Sequence, residues 1–379
     1  MKRAASIGFL CLCAVLSLGW EHRVDDGADR VDFGKIYLVG SRLLVGEISR
    51  GIRVIEIRDP AGMRSVGYIP LEENMDFAVK GDVLYADNGT DLLVYDVGDF
   101  AHPVCIDTIP RVFAAREKPR PVVQYPSEQH VGGLGGCTWG SGCGDAAVTP
   151  EYDTRTTSGG GGTGQAGSMA RFAVVEDFLY CIDESNLIVF DIRVPDKPRL
   201  IGRTAVGFGI ETLFPYRYYL FIGSRTGMFI YDARDVAVPV KVSEFRHARA
   251  CDPVVVENDR AYVTLRNGTL CGESENELHI VDISNVSDPV LLSSYGMESP
   301  AGLAVSDGIA YVCDGPHLRI LDVRNEQAVR EISSIPLGNT FDVIYSEGLL
   351  IVASPNGLYV YDVRDPSKPV RIGFLSNIS

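Results

Sequence analysis

Hydrophobic and polar positions along the chain follow a pattern that repeats about every forty residues. In each repeat, short β-rich runs are separated by Gly- or acid-containing turns, and the third run ends in an acid, as in Leu92-Leu93-Val94-Tyr95-Asp96. The acids that end these runs are Glu56, Asp96, Asp191, Asp232, Asp282, Asp322 and Asp362. A period of about 40–45 residues with four short strands is typical of the blades of a β-propeller.

Seven segments carry this four-strand pattern, and we predict one blade from each. They are residues 34–70, 75–110, 170–206, 209–246, 251–295, 299–337 and 340–376. The predicted fold is all-β, a seven-bladed β-propeller of four-stranded blades, with a signal peptide at 1–19, a lead-in at 20–33 and the propeller at 34–379. No strand is left over to join the last blade to the first, so the sequence leaves the closure of the ring open.

The recurrent acid after each third strand is interpreted as structural. A carboxylate at this position can accept backbone N–H groups in the turn to the fourth strand, as Asx turns do. The sequence therefore predicts one such hydrogen-bonded turn in each blade.

A long insertion, residues 111–169, separates the second and third blades. Its first part is basic and contains Pro, and its second part is Gly-rich, a composition that buries too little apolar surface to order by itself. The insertion leaves an outer strand and enters an inner one, so it must cross the face where the channel opens. It is either a lid over this face or a disordered flap.

The N-terminus predicts export. Lys2 and Arg3 precede an apolar stretch from Ala4 to Leu18, and a small residue, Gly19, stands before Trp20, which is the pattern of a secretory signal peptide. Lipid anchoring would place a Cys at the cleavage point, where Trp20 stands instead. We expect a periplasmic, cell-surface or extracellular protein with no transmembrane span, since the apolar stretch is short for a bilayer.

Charge narrows the classes of partner. The formal net charge is −15, which argues against a nucleic-acid or anionic-membrane binder, because both need a basic surface. Partners expected instead are an envelope protein, a peptide or a polar small molecule. The oligomeric state is not predicted.

Several stretches resemble a known family. Leu92-Leu93-Val94-Tyr95-Asp96, Leu278-His279-Ile280-Val281-Asp282 and Leu318-Arg319-Ile320-Leu321-Asp322 resemble the LVIVD repeat, and residues 164–172, 209–216 and 251–256 resemble an exported bacterial subgroup of LVIVD-repeat proteins. The resemblance covers nearly the whole chain after residue 32. It implies a β-propeller in the bacterial envelope and implies no activity, because the family has no assigned function.

Charged residues concentrate where the inner strands begin and where second strands end, positions that share the channel-mouth face of a propeller. The candidate ligand-binding residues are Asp76, Arg171, Glu211, Arg225, Arg249, Asp252, Arg266 and Asp342. The planar guanidinium of an Arg at this face can donate two parallel hydrogen bonds to a carboxylate or phosphate ligand. The same residues would alternatively form a ring of salt bridges that plugs the channel and holds the blades in register.

Cysteines predict one disulfide and leave a second open. Cys251 opens the inner strand of blade five and Cys271 follows its second strand, so antiparallel pairing brings them to one face. Cys137 and Cys143 are a possible second pair within the insertion. Cys181 and Cys313 lie in second strands and are expected to be small buried residues.

No motif predicts a cofactor. Residues 162–167 spell GxGxxG, but they precede a strand, whereas a dinucleotide site needs a helix after the turn. Glu273, Glu275 and Glu277 could hold Ca²⁺, but they lack the Asp/Asn/Gly pattern of a calcium loop, so a calcium site is possible without support and no metal is predicted.

Three functions remain open from the sequence. The first is a non-catalytic binding or scaffold protein that engages a ligand through its charged channel-mouth face. The second is an enzyme, a hydrolase or lyase with Glu211 or Asp342 as base beside an Arg clamp. The third is a structural or adhesive surface protein.

Overall fold

Seven antiparallel sheets are arranged around one axis in the structure, a computed structural model; six have four strands, and the sheet of blade one has a fifth strand at its inner edge. The residues that it describes are 33–48, 50–114, 164–246, 253–267 and 276–376. Each sheet is one blade, and its four strands follow one another in chain order from the axis outward. The prediction of a seven-bladed β-propeller is confirmed.

The strands of the first three blades frame the long insertion. Blade one has β1 (Phe33–Val39), β2 (Arg42–Glu47), β3 (Gly51–Glu56) and β4 (Arg64–Pro70); blade two has β5 (Phe77–Lys80), β6 (Val83–Asn88), β7 (Asp91–Asp96) and β8 (Val104–Ile109); β9 (Gln165–Ala166) follows; blade three has β10 (Phe172–Val175), β11 (Phe178–Ile182), β12 (Asn186–Asp191) and β13 (Arg199–Ala205).

The remaining four blades follow without a long interruption. Blade four has β14 (Ile210–Tyr216), β15 (Tyr219–Ser224), β16 (Gly227–Asp232) and β17 (Val240–Arg246); blade five has β18 (Val254–Glu257), β19 (Arg260–Leu265), β20 (Glu277–Asp282) and β21 (Val290–Gly296); blade six has β22 (Pro300–Ser306), β23 (Ile309–Asp314), β24 (His317–Asp322) and β25 (Arg330–Pro336); blade seven has β26 (Asp342–Ser346), β27 (Leu349–Ser354), β28 (Gly357–Asp362) and β29 (Val370–Ser376). Two short 3₁₀ helices, Pro60–Gly62 and Glu326–Ala328, precede the outer strands β4 and β25.

Burial explains the composition of the strands. Five of the six residues of β12 are buried, whereas no residue of the outer strand β13 is. The inner strands are covered on both faces by the adjoining blades, so they are continuous apolar runs rather than alternating ones. Cys181 and Cys313, in β11 and β23, are fully buried as expected.

The predicted turn at the end of each third strand is present in all seven blades. In every case the strand-end carboxylate accepts the backbone N–H two residues further on, at 2.9–3.2 Å. In four blades that residue is an Arg whose guanidinium also pairs with the acid. Hydrogen bonds from Arg364 lower the pKa of Asp362 to about 2.

Neighbouring blades make close backbone contact at their outer edges. The residue opposite the middle of the third strand is small in six of the seven outer strands, and these residues are Gly67, Gly202, Ser243, Ser293, Ser333 and Gly373. A Cβ on Gly202 would overlap the Ala237 carbonyl of the next blade, and Ser333 donates to the Pro366 carbonyl at 2.8 Å. In blade two the position is Asp107, and five of the six residues of β8 are exposed.

The ring closes between blades seven and one without an exchanged strand among the described residues. Ile36 and Ile55 of blade one share a buried cluster with Ile351 and Leu358 of blade seven. Gly373 of β29 lies directly against the Pro60 carbonyl of blade one. Apolar packing therefore holds this junction as it holds the others. Within the described ranges, no helix has the length and apolar character needed to cross a membrane.

Candidate functional site: the axial channel and its rim

The chain itself occupies the axial channel. Strand β9 pairs antiparallel with β1 on the edge that faces the axis, so this sheet alone has five strands. The Gly167 N–H donates to the Ile36 carbonyl at 3.1 Å, and the Gln165 side-chain amide donates to the Tyr345 carbonyl of blade seven at 2.9 Å. We call residues 164–171 the channel segment.

The channel segment bonds to further blades as it crosses the channel. The Ser168 hydroxyl donates to Asp342 of blade seven at 3.3 Å and accepts the Leu303 N–H of blade six at 2.8 Å. The Ala170 carbonyl accepts the Leu213 N–H of blade four at 2.7 Å. One short segment thus bridges blades on opposite sides of the axis.

Glycine allows the segment to lie this deep. A Cβ on Gly167 would overlap the Asp342 carboxylate, and a Cβ on Gly164 would overlap the ring of Tyr37. The Gly-rich composition that indicates disorder in isolation therefore permits close approach to the channel wall here.

Both ends of the insertion 111–169 pack on the propeller, and residues 115–163 lie outside the described residues. At the first end, Val112 and Phe113 are buried, and the Phe113 ring lies 5.5 Å from that of Phe172. At the second end, residues 164–169 fill the channel rather than cover its mouth. Neither of the two expectations, a lid or a disordered flap, describes these end segments.

A buried ion pair stands beside the channel segment. Lys35 and Asp76 are 4 % and 1 % exposed and form a salt bridge, and the Lys35 Nζ also donates to the carbonyls of Phe77 at 2.8 Å and Phe172 at 3.2 Å. Asp76 accepts the N–H groups of Phe77, Phe172 and Arg171. Burial raises the pKa of Asp76, although Lys35 opposes this shift.

Lys35 is not among the site residues predicted from the sequence. The available cue is a lysine in the middle of the apolar inner strand β1, where a charge needs a buried partner. Its partner Asp76 lies in the next blade, so the pair is not visible from local sequence.

Asp342 is the second buried carboxylate of the channel, and it is fully shielded from solvent. Its Oδ1 accepts the Val343 N–H at 3.0 Å and the Ser168 hydroxyl, while its Oδ2 has no hydrogen-bond partner among the described residues. Burial raises the pKa of Asp342 to about 7, and the charge of Lys35 opposes the shift.

The other predicted site residues are distributed around the rim. Glu211 and Arg225 form an ion pair at 2.9 Å, Arg171 contributes its backbone N–H to Asp76, and Arg266 is half-buried after β19. Arg249 and Asp252 lie outside the described residues, as do the Cys pairs Cys251–Cys271 and Cys137–Cys143. Of the three glutamates considered for calcium, only Glu277 is described, and it contacts His279 at 2.7 Å.

This geometry gives little support to the hydrolase or lyase hypothesis. A general base must lie within hydrogen-bond reach of the substrate. Asp342 is sealed behind Ser168, and Glu211 is engaged by Arg225. In the described part of the chain, no group of three His, Cys, Asp or Glu side chains is arranged to hold a metal ion.

Apolar side chains are exposed on the channel-mouth face. Ile48, Met75, Met169 and Phe208 are 47 %, 48 %, 38 % and 79 % exposed, and each lies in a turn or segment at this face. Phe208 is the most exposed large apolar residue in the described ranges. Phe208 is not predicted from the sequence, because a single Phe between two glycines belongs to no periodic pattern.

The turn that presents Phe208 is held by backbone hydrogen bonds. The Val206 N–H donates to the Ser185 carbonyl at 2.9 Å, the Gly209 N–H donates to the Glu184 carbonyl at 3.0 Å, and the Gly209 carbonyl accepts the Arg225 N–H at 3.1 Å. Gly209 has φ +74°, a conformation that favours glycine. The backbone is therefore fixed while the Phe208 side chain projects into solvent.

Comparisons with known proteins support the fold. The LVIVD repeat matches residues 249–296 and 337–375, within blades five and seven. No curated protein is significantly similar to the sequence. A crystallised protein from Lactobacillus plantarum has TM-score 0.62 and 11 % identity, over 91 % of this chain and 98 % of that one.

Two further solved structures come from proteins whose names indicate different roles. The periplasmic gluconolactonase PpgL of Pseudomonas aeruginosa has TM-score 0.57 and 11 % identity, over 89 % of this chain and 96 % of that one. BamB of Moraxella catarrhalis has TM-score 0.51 and 11 % identity, over 85 % and 81 %. At such identity the likeness concerns the fold alone. The chain is a seven-bladed β-propeller in which two segments match the LVIVD repeat.

Proposed function

We propose that this protein is an exported, non-catalytic binding protein that engages a protein or peptide through the rim of its channel mouth. The observation that carries the proposal is the channel segment. Residues 164–171 fill the channel and form hydrogen bonds with its buried carboxylates, Asp76 and Asp342. A ligand can therefore contact only the rim. The predicted leader at 1–19 supports export to the envelope.

Phe208 supports a macromolecular partner. An aromatic side chain that is 79 % exposed on a hydrogen-bonded turn gains buried area on binding and loses little backbone freedom. Ile48, Met75 and Met169 are further exposed apolar side chains on the same face.

Charge around Phe208 favours a partner with a basic group. Glu184 is exposed in the turn that holds the Phe208 loop, and Glu211 lies beside it in an ion pair with Arg225. A partner loop that places an apolar pocket over Phe208 and a Lys or Arg near Glu184 would match both features.

The test compares two serine variants that each remove an exposed apolar side chain. Phe208→Ser removes the rim aromatic, and Val238→Ser removes a side chain that is 58 % exposed in the outer turn of the same blade, away from the channel mouth. Each variant and the parent chain, from residue 20, are crosslinked in native envelope extract and the captured proteins quantified by mass spectrometry.

We expect a partner that the parent and Val238→Ser capture and that Phe208→Ser loses. The purified partner should then bind Phe208→Ser about tenfold more weakly or worse. Equal capture by all three proteins, or no specific capture by any, would contradict the proposal.

A further inference from the structure

A cleft opens between blades three and four on the face opposite the channel mouth. Its volume is about 210 Å³. It is bounded by the turn between β10 and β11, the turn between β14 and β15, and the turn after β16. It therefore lies apart from the channel segment and from Phe208.

Aromatic side chains form much of the cleft wall. Phe178 and Tyr180 come from blade three, and Tyr218 and Tyr219 come from blade four. Tyr218 is 48 % exposed at the edge of the cleft. Such walls favour a flat apolar ring, because aromatic faces and edges stack on one another at close range.

At the preceding junction the equivalent tyrosine has a hydrogen-bond partner that Tyr180, like Tyr262 and Tyr311 in blades five and six, lacks among the described residues. Tyr85 of β6 and Tyr180 of β11 occupy matching register positions in successive blades. The Tyr85 hydroxyl donates to the Pro195 carbonyl of the next blade at 2.8 Å. The Tyr180 hydroxyl makes no such bond to Val236, the corresponding residue of blade four, or to any other described residue. A largely buried Tyr hydroxyl usually has a partner, so an available donor lines this cleft.

Arg217 and Arg234 also line the cleft. Arg234 binds Asp232 through its Nε at 2.9–3.0 Å and its Nη2, and its Nη1 donates to no residue of the described ranges. Arg217 binds Asp259 of blade five through Nη1 at 2.8 Å, so its guanidinium is turned away from blade three and Arg234 is the arginine donor of the cleft. The cleft thus presents N–H donors next to aromatic walls. A ligand that supplies acceptor oxygens on a flat ring matches this arrangement.

We propose that this cleft binds a small aromatic monocarboxylate. The ring would lie against the wall formed by Phe178 and Tyr180, and the carboxylate would accept hydrogen bonds from the Tyr180 hydroxyl and Arg234. The volume admits a ligand of about one ring with its carboxylate and is smaller than the pockets that hold drug-sized molecules.

The test uses benzoate as the probe and ligand-observed NMR titration of the full chain. Benzyl alcohol keeps the ring without the charge, and cyclohexanecarboxylate keeps the charge without the flat ring. We expect benzoate to bind more tightly than either. If benzoate does not bind, or binds no better than both comparison ligands, the proposal is wrong.

Two variants test whether the ligand binds in the cleft. Arg234→Gln should weaken benzoate binding about tenfold, and Tyr180→Phe about threefold, since each removes one proposed hydrogen bond to the carboxylate. The control is Arg364→Gln, which alters the same turn position in blade seven, where Arg364 pairs with Asp362. Arg364→Gln should leave benzoate affinity unchanged. An equal loss in Arg234→Gln and Arg364→Gln, or no loss in Arg234→Gln and Tyr180→Phe, would overturn the assignment.

Discussion

Two buried carboxylates of the channel differ in how their charge is balanced. Asp76 has Lys35 and three backbone N–H donors, whereas Asp342 has a serine hydroxyl, backbone N–H groups and an oxygen without a described partner. A buried carboxylate without a salt bridge and with an unpartnered oxygen favours its neutral, protonated form. The charged and polar groups facing Asp342 are Lys35 of β1, the thiol of Cys313 of β23 and the hydroxyl of Ser168.

Asp342→Asn should change how stability depends on pH. Burial raises the pKa of Asp342 from 3.8 to about 7, so the folded state holds this proton more tightly than the unfolded state. The resulting stabilisation is complete below about pH 4 and is lost as pH rises through about 7. Asparagine imitates the neutral acid at every pH. The variant should therefore gain stability relative to the parent, by roughly 1–4 kcal/mol, between pH 5 and pH 8 in urea denaturation.

Asp314→Asn is the control for this series. Asp314 is also buried, but its carboxylate pairs with Arg319 at 3.2 Å and accepts the Glu298 N–H at 2.8 Å. Its replacement should lower stability at pH 8, because Arg319 loses a buried partner. A pH-independent difference between Asp342→Asn and the parent would contradict the account of Asp342.

Gly167→Ala should disrupt the channel segment. The added methyl group would overlap the Asp342 carboxylate. Gly167 and Asp342 are both buried, so neither residue can move into solvent to relieve the overlap. We expect a loss of roughly 1–3 kcal/mol in unfolding free energy. Gly296→Ala is the matched control, because nothing lies within 4 Å of its Cβ position and its φ is not positive. If the two variants were equally stable, the packing around Gly167 would be wrong.

The elements that the sequence predicts well are those with local causes. The strands of each blade are continuous apolar runs, and their ends are marked by acids that bond within two residues, so blade limits agree with prediction to within a few residues. Strand β9 has only two residues and pairs with β1 more than 120 residues earlier in the chain. A strand of two residues is too short to show a hydrophobic periodicity. Its pairing with β1 depends on the folded ring, which brings the two segments together.

Outer strands show a second non-local determinant. Six of them carry Gly or Ser where the turn of the next blade approaches, and only the folded ring reveals why Asp107 is tolerated in β8, which is exposed along most of its length. The pattern was present in the sequence, but its reason lies in the adjoining blade.

Gly202→Ala and Asp107→Ser test this explanation. The methyl group of the first variant would overlap the Ala237 carbonyl, so we expect a loss of roughly 1–3 kcal/mol in unfolding free energy. Asp107→Ser changes an exposed side chain and should stay within about 0.5 kcal/mol of the parent. Urea denaturation at pH 7 measures both. Comparable losses in the two variants would show that the blade contact does not explain the small residues.

At the scale of the whole molecule, the channel segment joins parts of the ring that are distant in the chain. It bonds to β1 of blade one and to Tyr345 and Asp342 of blade seven, the two blades between which the ring closes. It thereby supplements the apolar packing at that junction and removes the channel as a ligand site. The exposed side chains of the rim, with Phe208 foremost, remain as the binding surface that we propose.

Hydrogen–deuterium exchange of peptides that cover residues 164–172 tests whether the channel segment occupies the channel. The N–H groups of Gly167, Arg171 and Phe172 are hydrogen-bonded to the channel wall, so their exchange should be as slow as that of the inner strands β5 and β22. Exchange complete within seconds, while those inner strands stay protected, would show that the channel is open and would contradict the central claim.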